Sequence, residues 1–141
     1  MYDPVMVKPM REEVTRLGVE ELATAESVEQ FLAREGTQMI FVNSVCGCAA
    51  GAARPGLALA LDGELKPDHM GTVFAGNDAE ATARARESWG DWPPSSPQIG
   101  LLRDGTPFAV IQRHEIETAS PVDLANTLQA AFKACAAADK A

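Results

Sequence analysis

The sequence predicts an α/β sandwich, a small central sheet with helices on both faces. Three observations carry that expectation. Met39-Ile40-Phe41-Val42-Asn43 is a run of strand formers without alternation, the pattern of a central strand covered on both sides. Two further strand-like runs flank Asp104-Gly105-Thr106-Pro107, a hairpin signal with Asp-Gly in the turn. Helical patterns alternate with the strands in the order αα-β-α-β-α-β-β-α. The count is four strands in a mixed sheet, within a single domain over residues 1–141.

Each element has a local reason. Asp3 before Pro4 offers an N-cap and a first-turn proline. Pro9 lacks an N–H and should interrupt that helix, so we expect a frayed start and a helix from about Pro9 to Leu17. Met10, Val14 and Leu17 fall on one face of it, and Gly18 ends it. Thr24 caps a second helix that turns Val28, Phe31 and Leu32 inward and stops at Gly36. After the strand at 39–43, a helical run extends from Ala49 to Leu61 with a kink at Pro55. Thr72 to Ala75 is a second strand, and Asn77 can cap a helix over Asp78 to Trp89. A proline-rich loop, Trp92-Pro93-Pro94-Ser95-Ser96-Pro97, precedes the hairpin strands Ile99 to Arg103 and Phe108 to Arg113. Ser120-Pro121-Val122-Asp123 reads as a capping box, with proline in first position, for a last helix. Leu124, Leu128, Ala131, Phe132 and Cys135 form that helix's apolar stripe.

Composition narrows the function. Apolar residues make up 46% of the chain, enough to offset the entropy of ordering it. The net charge is -8 and no basic run exists, which argues against nucleic acid and against an anionic membrane surface as partners. The most apolar stretch, Leu57 to Leu61, falls far short of the ~18 residues of a membrane span. The start, Met1-Tyr2-Asp3-Pro4, has neither the basic residues nor the apolar run of a secretory signal, so the expectation is a cytoplasmic protein. Three cysteines in a reducing compartment do not suggest a disulfide scaffold.

Cys46-Gly47-Cys48 carries the chemistry. Cys46 stands where a buried strand gives way to a helix. Unpaired N–H groups and the positive end of the helix dipole meet there, and both favour thiolate over thiol. Such positions lower a cysteine pKa from ~8.5 to roughly 3.5–7.5. Gly47 adds no side chain and leaves the sulfur open to another disulfide. Cys48 is close enough to attack a mixed disulfide formed on Cys46. Closing a ring over one intervening residue strains the product and makes it comparatively reducible.

Other readings of the pair stay open: small core residues, an inert interaction domain, or part of a zinc or iron–sulfur site. Metal sites generally need a second ligand pair, and Cys135, His69 and His114 supply none in sequence. Cys135 reads as a buried structural thiol, His69 as a solvated loop residue and His114 as a residue after the hairpin.

The residues also match a known family. Tyr2-Asp3-Pro4, Pro9 to Glu13, Asn43 to Gly51, Ala53-Arg54-Pro55, Val73 to Gly76, Pro94 to Pro97 and Arg113 to Glu117 together resemble the bacilliredoxins. The resemblance covers nearly the whole chain. It implies a thioredoxin-like fold, a redox helix kinked at Pro55, and a cis Ser96–Pro97 bond facing the reactive sulfur. Ser96 and Gln98, beside that proline, become candidates for pairing with an extended substrate. The implied activity is removal of bacillithiol, or a similar small thiol, from S-thiolated cytoplasmic proteins. General disulfide isomerase or oxidoreductase activity is the alternative. Cys46 and Cys48 would be catalytic, with Gly47, Ser96, Pro97 and Gln98 positioning the substrate. No cofactor or metal is implied beyond the small thiol as co-substrate, and a homodimer stays open. The chain departs from the family in its Ala-rich helices and in Trp89 and Trp92. These could shape a substrate groove, with at least one packed in the core.

Overall fold

A computed structural model describes residues 1–138, so residues 139–141 of the expected domain lie outside the described residues. The sheet has five strands rather than four, in the order β1-β3-β2-β4-β5: β1 Glu20–Glu21, β2 Thr37–Asn43, β3 His69–Phe74, β4 Gln98–Arg103 and β5 Thr106–Ile111. β2 runs parallel to β3 and antiparallel to β4, and β4 pairs antiparallel with β5. The extra strand, β1, is two exposed glutamates held by backbone pairing to Gly71 and Thr72. No apolar pattern marks it, which is why periodicity misses it.

All seven residues of β2 are buried, as its unbroken apolar run predicts. Its alternate side chains feed two cores. Met39 and Phe41 join Ile99, Leu101 and Ile111 beneath α3 (Arg54–Leu61) and α6 (Pro121–Ala137). Ile40 and Val42 join Val73 and Leu102 beneath α2 (Ala25–Leu32) and α4 (Ala79–Ser88). The period-2 alternation of a strand thus fills both layers.

The cap signals hold at three helices. Asp3 Oδ1 accepts from Val5 N at 2.9 Å, Thr24 Oγ1 from Ser27 N at 3.1 Å, and Ser120 Oγ from Asp123 N at 3.1 Å. The Asp104-Gly105 turn has φ of 51° and 79°, the double positive of a type I′ hairpin. Thr106 and Pro107 belong to β5 rather than to the turn.

Four boundaries differ from expectation. α1 runs unbroken over Pro4–Thr15 with Pro9 inside it. The Asp3 cap, together with buried Val7 and Val14, outweighs the ~3 kcal/mol that an interior proline costs. The N-cap of α4 is Asp78, not Asn77. Asn77 instead exchanges two hydrogen bonds with the Tyr2 backbone, at 2.9 and 3.0 Å. His69 opens β3 rather than lying in a loop. Arg113 leaves the hairpin to begin α5 (Arg113–Glu117), where Glu115 Oε1 accepts from Gln112 N at 3.1 Å and the Gln112 carbonyl accepts from Glu115 N at 3.0 Å.

No described helix is long and apolar enough to cross a membrane.

Candidate active site

Strand directions gather the site at one end of the sheet. β2 and β3 are parallel, so their carboxyl ends deliver Ser44-Val45-Cys46 and Ala75-Gly76 side by side. β4 runs the other way, so Ser96 stands at the same end just before it begins. β5 reverses again and brings Arg113 there. These residues and Tyr2 line a groove of about 460 Å³ with the half-buried Cys46 in its wall. Ligands of open α/β sheets commonly sit at this end of the parallel strands.

The chain turns helical at Gly47, and the Cys46 carbonyl accepts from Ala49 N at 3.0 Å and Ala50 N at 3.3 Å. Cys46 therefore stands at the N-terminal tip of the helix. The first turns are π-helical over Ala49–Ala53, where Arg54 N reaches back to the Ala49 carbonyl. α3 then continues with Pro55 in its first turn, so the expected kink is resolved as a change of helix type.

Cys46 Sγ and Cys48 Sγ lie 2.8 Å apart as free thiols. The Cys46 thiol is held below its usual value, chiefly by the hydrogen bond from the Cys48 side chain. Burial opposes it as the next largest effect, and the backbone N–H of Cys48, the cationic Arg113 and the backbone N–H of Ala49 each add a smaller lowering contribution. Cys48 moves the other way: burial raises it first, then its bond to Cys46 and the negative charge there. One sulfur is favoured as thiolate and its neighbour as thiol.

A buried arginine braces this loop from below. Arg54 is 4% exposed, and its Nε donates to Glu13 of α1 at 2.9 Å. Its Nη1 donates to Asn43 Oδ1 at 3.1 Å and to the Ser44 carbonyl at 3.0 Å. Asn43 Oδ1 also accepts from Ser44 N, and Ser44 Oγ accepts from Cys46 N at 3.2 Å. A fixed polar chain thus leads from α1 to the backbone of Cys46. On the rim, the Tyr2 ring covers Gly76, whose φ of 92° and lack of a side chain make room for it.

The expected positioning residues divide. Gly47 is exposed beside the sulfurs. Ser96–Pro97 is cis; Ser96 lines the groove and Pro97 is buried behind it. Gln98 opens β4 with a fully buried side chain, whose Nε2 donates to Pro93 O and Gln112 Oε1 and whose Oε1 accepts from Arg86 Nε. That side chain anchors the loop from inside; the expectation for Gln98 concerns the backbone beside Pro97. Tyr2, Arg54 and Arg113 appear in sequence only as part of the family pattern. What would single them out, facing one groove or bracing it, is a property of strand order.

Cys135 is buried on α6 and points its thiol at the Leu102 carbonyl, 3.6 Å away. Burial pushes that thiol up. Among the described residues, no three His, Cys, Asp or Glu side chains gather as a metal-binding group.

A family model described as Disulphide isomerase matches residues 2–136. A bacilliredoxin of Koribacter versatilis is 51% identical over 133 residues, 94% of this chain and 92% of its own. The chain belongs to the bacilliredoxin family. A bacilliredoxin of Geobacillus kaustophilus is 52% identical over 133 residues, covering 93% and 92% of the two chains. One from Bacillus thuringiensis is 48% identical over 128 residues, covering 91% and 89%. Among solved structures, a putative oxidoreductase with a thioredoxin fold aligns with a TM-score of 0.59 at 14% identity, over 78% of this chain and 93% of its own. Mitochondrial thioredoxin 3 of Saccharomyces cerevisiae aligns with a TM-score of 0.56 at 14% identity, over 82% and 94%. This bacilliredoxin therefore has the thioredoxin fold and is a thiol–disulfide oxidoreductase.

Proposed function

We propose that the chain removes bacillithiol, or the small thiol its host uses instead, from mixed disulfides on cytoplasmic proteins. The observation that carries the reading is the Cys46–Cys48 pair, an anion-favouring sulfur at a helix tip with a protonated sulfur 2.8 Å away. Cys46 thiolate attacks the small-thiol sulfur of the mixed disulfide. A new S–S bond forms, and the old electron pair leaves on the client cysteine, which takes a proton from solvent. Cys48, as thiolate, can then attack Cys46 and release the small thiol, leaving a Cys46–Cys48 disulfide. A second bacillithiol can equally take the adduct from Cys46. Gly47, Ser96 and Pro97 shape the approach to Cys46, and Gln98 positions the loop that carries Ser96 and Pro97. The small thiol is a co-substrate; the reaction as written uses no cofactor or metal.

Intact-mass spectrometry tests the reading. Incubation of the reduced protein with an S-bacillithiolated client should return the free client and leave the protein either carrying the bacillithiol mass on Cys46 or, after resolution by Cys48, lighter by two hydrogens as the Cys46–Cys48 disulfide. If the client stays modified while the protein keeps free thiols, the reading fails. The alternative, general isomerase activity, predicts instead that scrambled intramolecular disulfides of a client are rearranged at a comparable rate.

The role of Arg113 is separable. Its charge stabilises the Cys46 thiolate, so Arg113→Gln should move the inflection of a pH profile of Cys46 alkylation upward. At neutral pH the alkylation rate should fall about two- to fivefold, the scale of one exposed charge pair. An unchanged profile would remove Arg113 from the set of groups that tune the thiol.

A further inference from the structure

A second groove lies beside the first. It has a volume of about 530 Å³; Trp92, Pro93 and Pro94 form one wall, with Val110, Gln112 and Glu117 among its other lining residues. The two grooves meet at two places. Arg113 lines both, and the consecutive residues Ser95 and Ser96 line one each. Whatever occupies the second groove therefore lies next to the substrate at Cys46.

The wall is preorganised. Gln112 Nε2 donates to the Pro93 carbonyl at 3.0 Å, while Gln112 Oε1 accepts from Ser95 Oγ at 2.7 Å and from Gln98 Nε2 at 2.8 Å. Arg86 Nη2 donates to the Ser95 carbonyl at 2.6 Å. The backbone beside Trp92 is tied down, yet Trp92 is 39% exposed. A large aromatic on a fixed wall contributes binding at little entropic cost. The charges on this groove are mixed, Arg113 and His114 against Glu115 and Glu117, so an apolar contact at Trp92 dominates over net charge.

A mixed disulfide has two halves that leave its sulfurs in different directions. The exchange reading places the small half in the groove of Cys46, since Cys46 retains it. We propose that the Trp92 groove receives the other half, an extended segment of the client polypeptide with an apolar side chain near its thiolated cysteine. The proposal rests on the exchange reading and adds where the client is held.

Two bacillithiol disulfides separate the possibilities. One is made with a peptide that places phenylalanine near its cysteine; the other is made with 5-thio-2-nitrobenzoate and has no polypeptide. Trp92→Ala should raise KM for the peptide disulfide roughly tenfold at unchanged kcat, and leave turnover of the small disulfide unaltered. Trp92→Phe should restore most of the loss. Equal KM for the peptide in wild type and Trp92→Ala overturns the proposal, as does an equal loss on both substrates. If Trp92→Ala converts a dimer to a monomer in sedimentation, a second copy of the chain covers the groove and the proposal is also overturned. If the unaltered protein turns over neither disulfide, the exchange reading itself fails.

Discussion

Cys46→Ser should abolish reduction of an S-thiolated client, with a rate loss on the order of a thousandfold or more. The variant changes one atom and keeps the helix tip, the bracing by Arg54 and both grooves. It removes the thiolate, which is the attacking species, and a serine hydroxyl does not ionise near neutral pH. Cys48→Ala should behave differently. The first step persists, slowed because the thiolate on Cys46 loses the hydrogen bond from its neighbour, and the small thiol then accumulates on Cys46. Single-turnover kinetics with intact-mass detection distinguish the two. Full activity in Cys46→Ser, or an adduct that builds up on Cys48 instead, would reverse the roles proposed for the sulfurs.

Trp89→Ala should be the most destabilising single change away from the site, costing about 3–5 kcal/mol. Trp89 closes α4, is 1% exposed, and lies with its six-membered ring on Gly100 of β4, where an added side chain would collide with it. The sheet omits a side chain at that point to admit the indole, so nothing nearby can fill the space once the ring is gone. Against the roughly 5–15 kcal/mol typical of a domain, this is a large fraction. Urea unfolding should show a lower midpoint at unchanged slope. The indole N–H has no hydrogen-bond partner among the described residues, so Trp89→Phe should retain much of the stability. Equal losses in the two variants would show that a phenyl ring does not fill the space and that the whole indole outline is required.

The legible parts of the fold were those dictated by neighbours in sequence. The unbroken apolar run of β2, the Asp104-Gly105 turn and the caps at Thr24 and Ser120 each depend on a few adjacent residues. The strand-to-helix corner at Cys46 was visible for the same reason. What escaped depends on distant partners. Glu20 and Glu21 become a strand only because β3 offers its edge. Asn77 has the chemistry of a helix cap, but Tyr2 occupies it. Nothing in the neighbouring sequence shows that the Gln98 side chain is enclosed by Arg86, Pro93 and Gln112. Arg54 and Arg113 are ordinary arginines in sequence, and the sheet brings one under the loop and the other over the groove. At least one tryptophan is expected in the core, and Trp89 is buried there while Trp92 stands partly exposed.

The closeness of the two sulfurs has a consequence for timing. While Cys46 is anionic, its charge helps keep the proton on Cys48 and so silences the second nucleophile. Capture of a small thiol extinguishes that charge, and the proton on Cys48 becomes easier to lose. On the proposed exchange reading no separate clock is needed: the resolving thiol is released from restraint by the same event that creates the bond it must break.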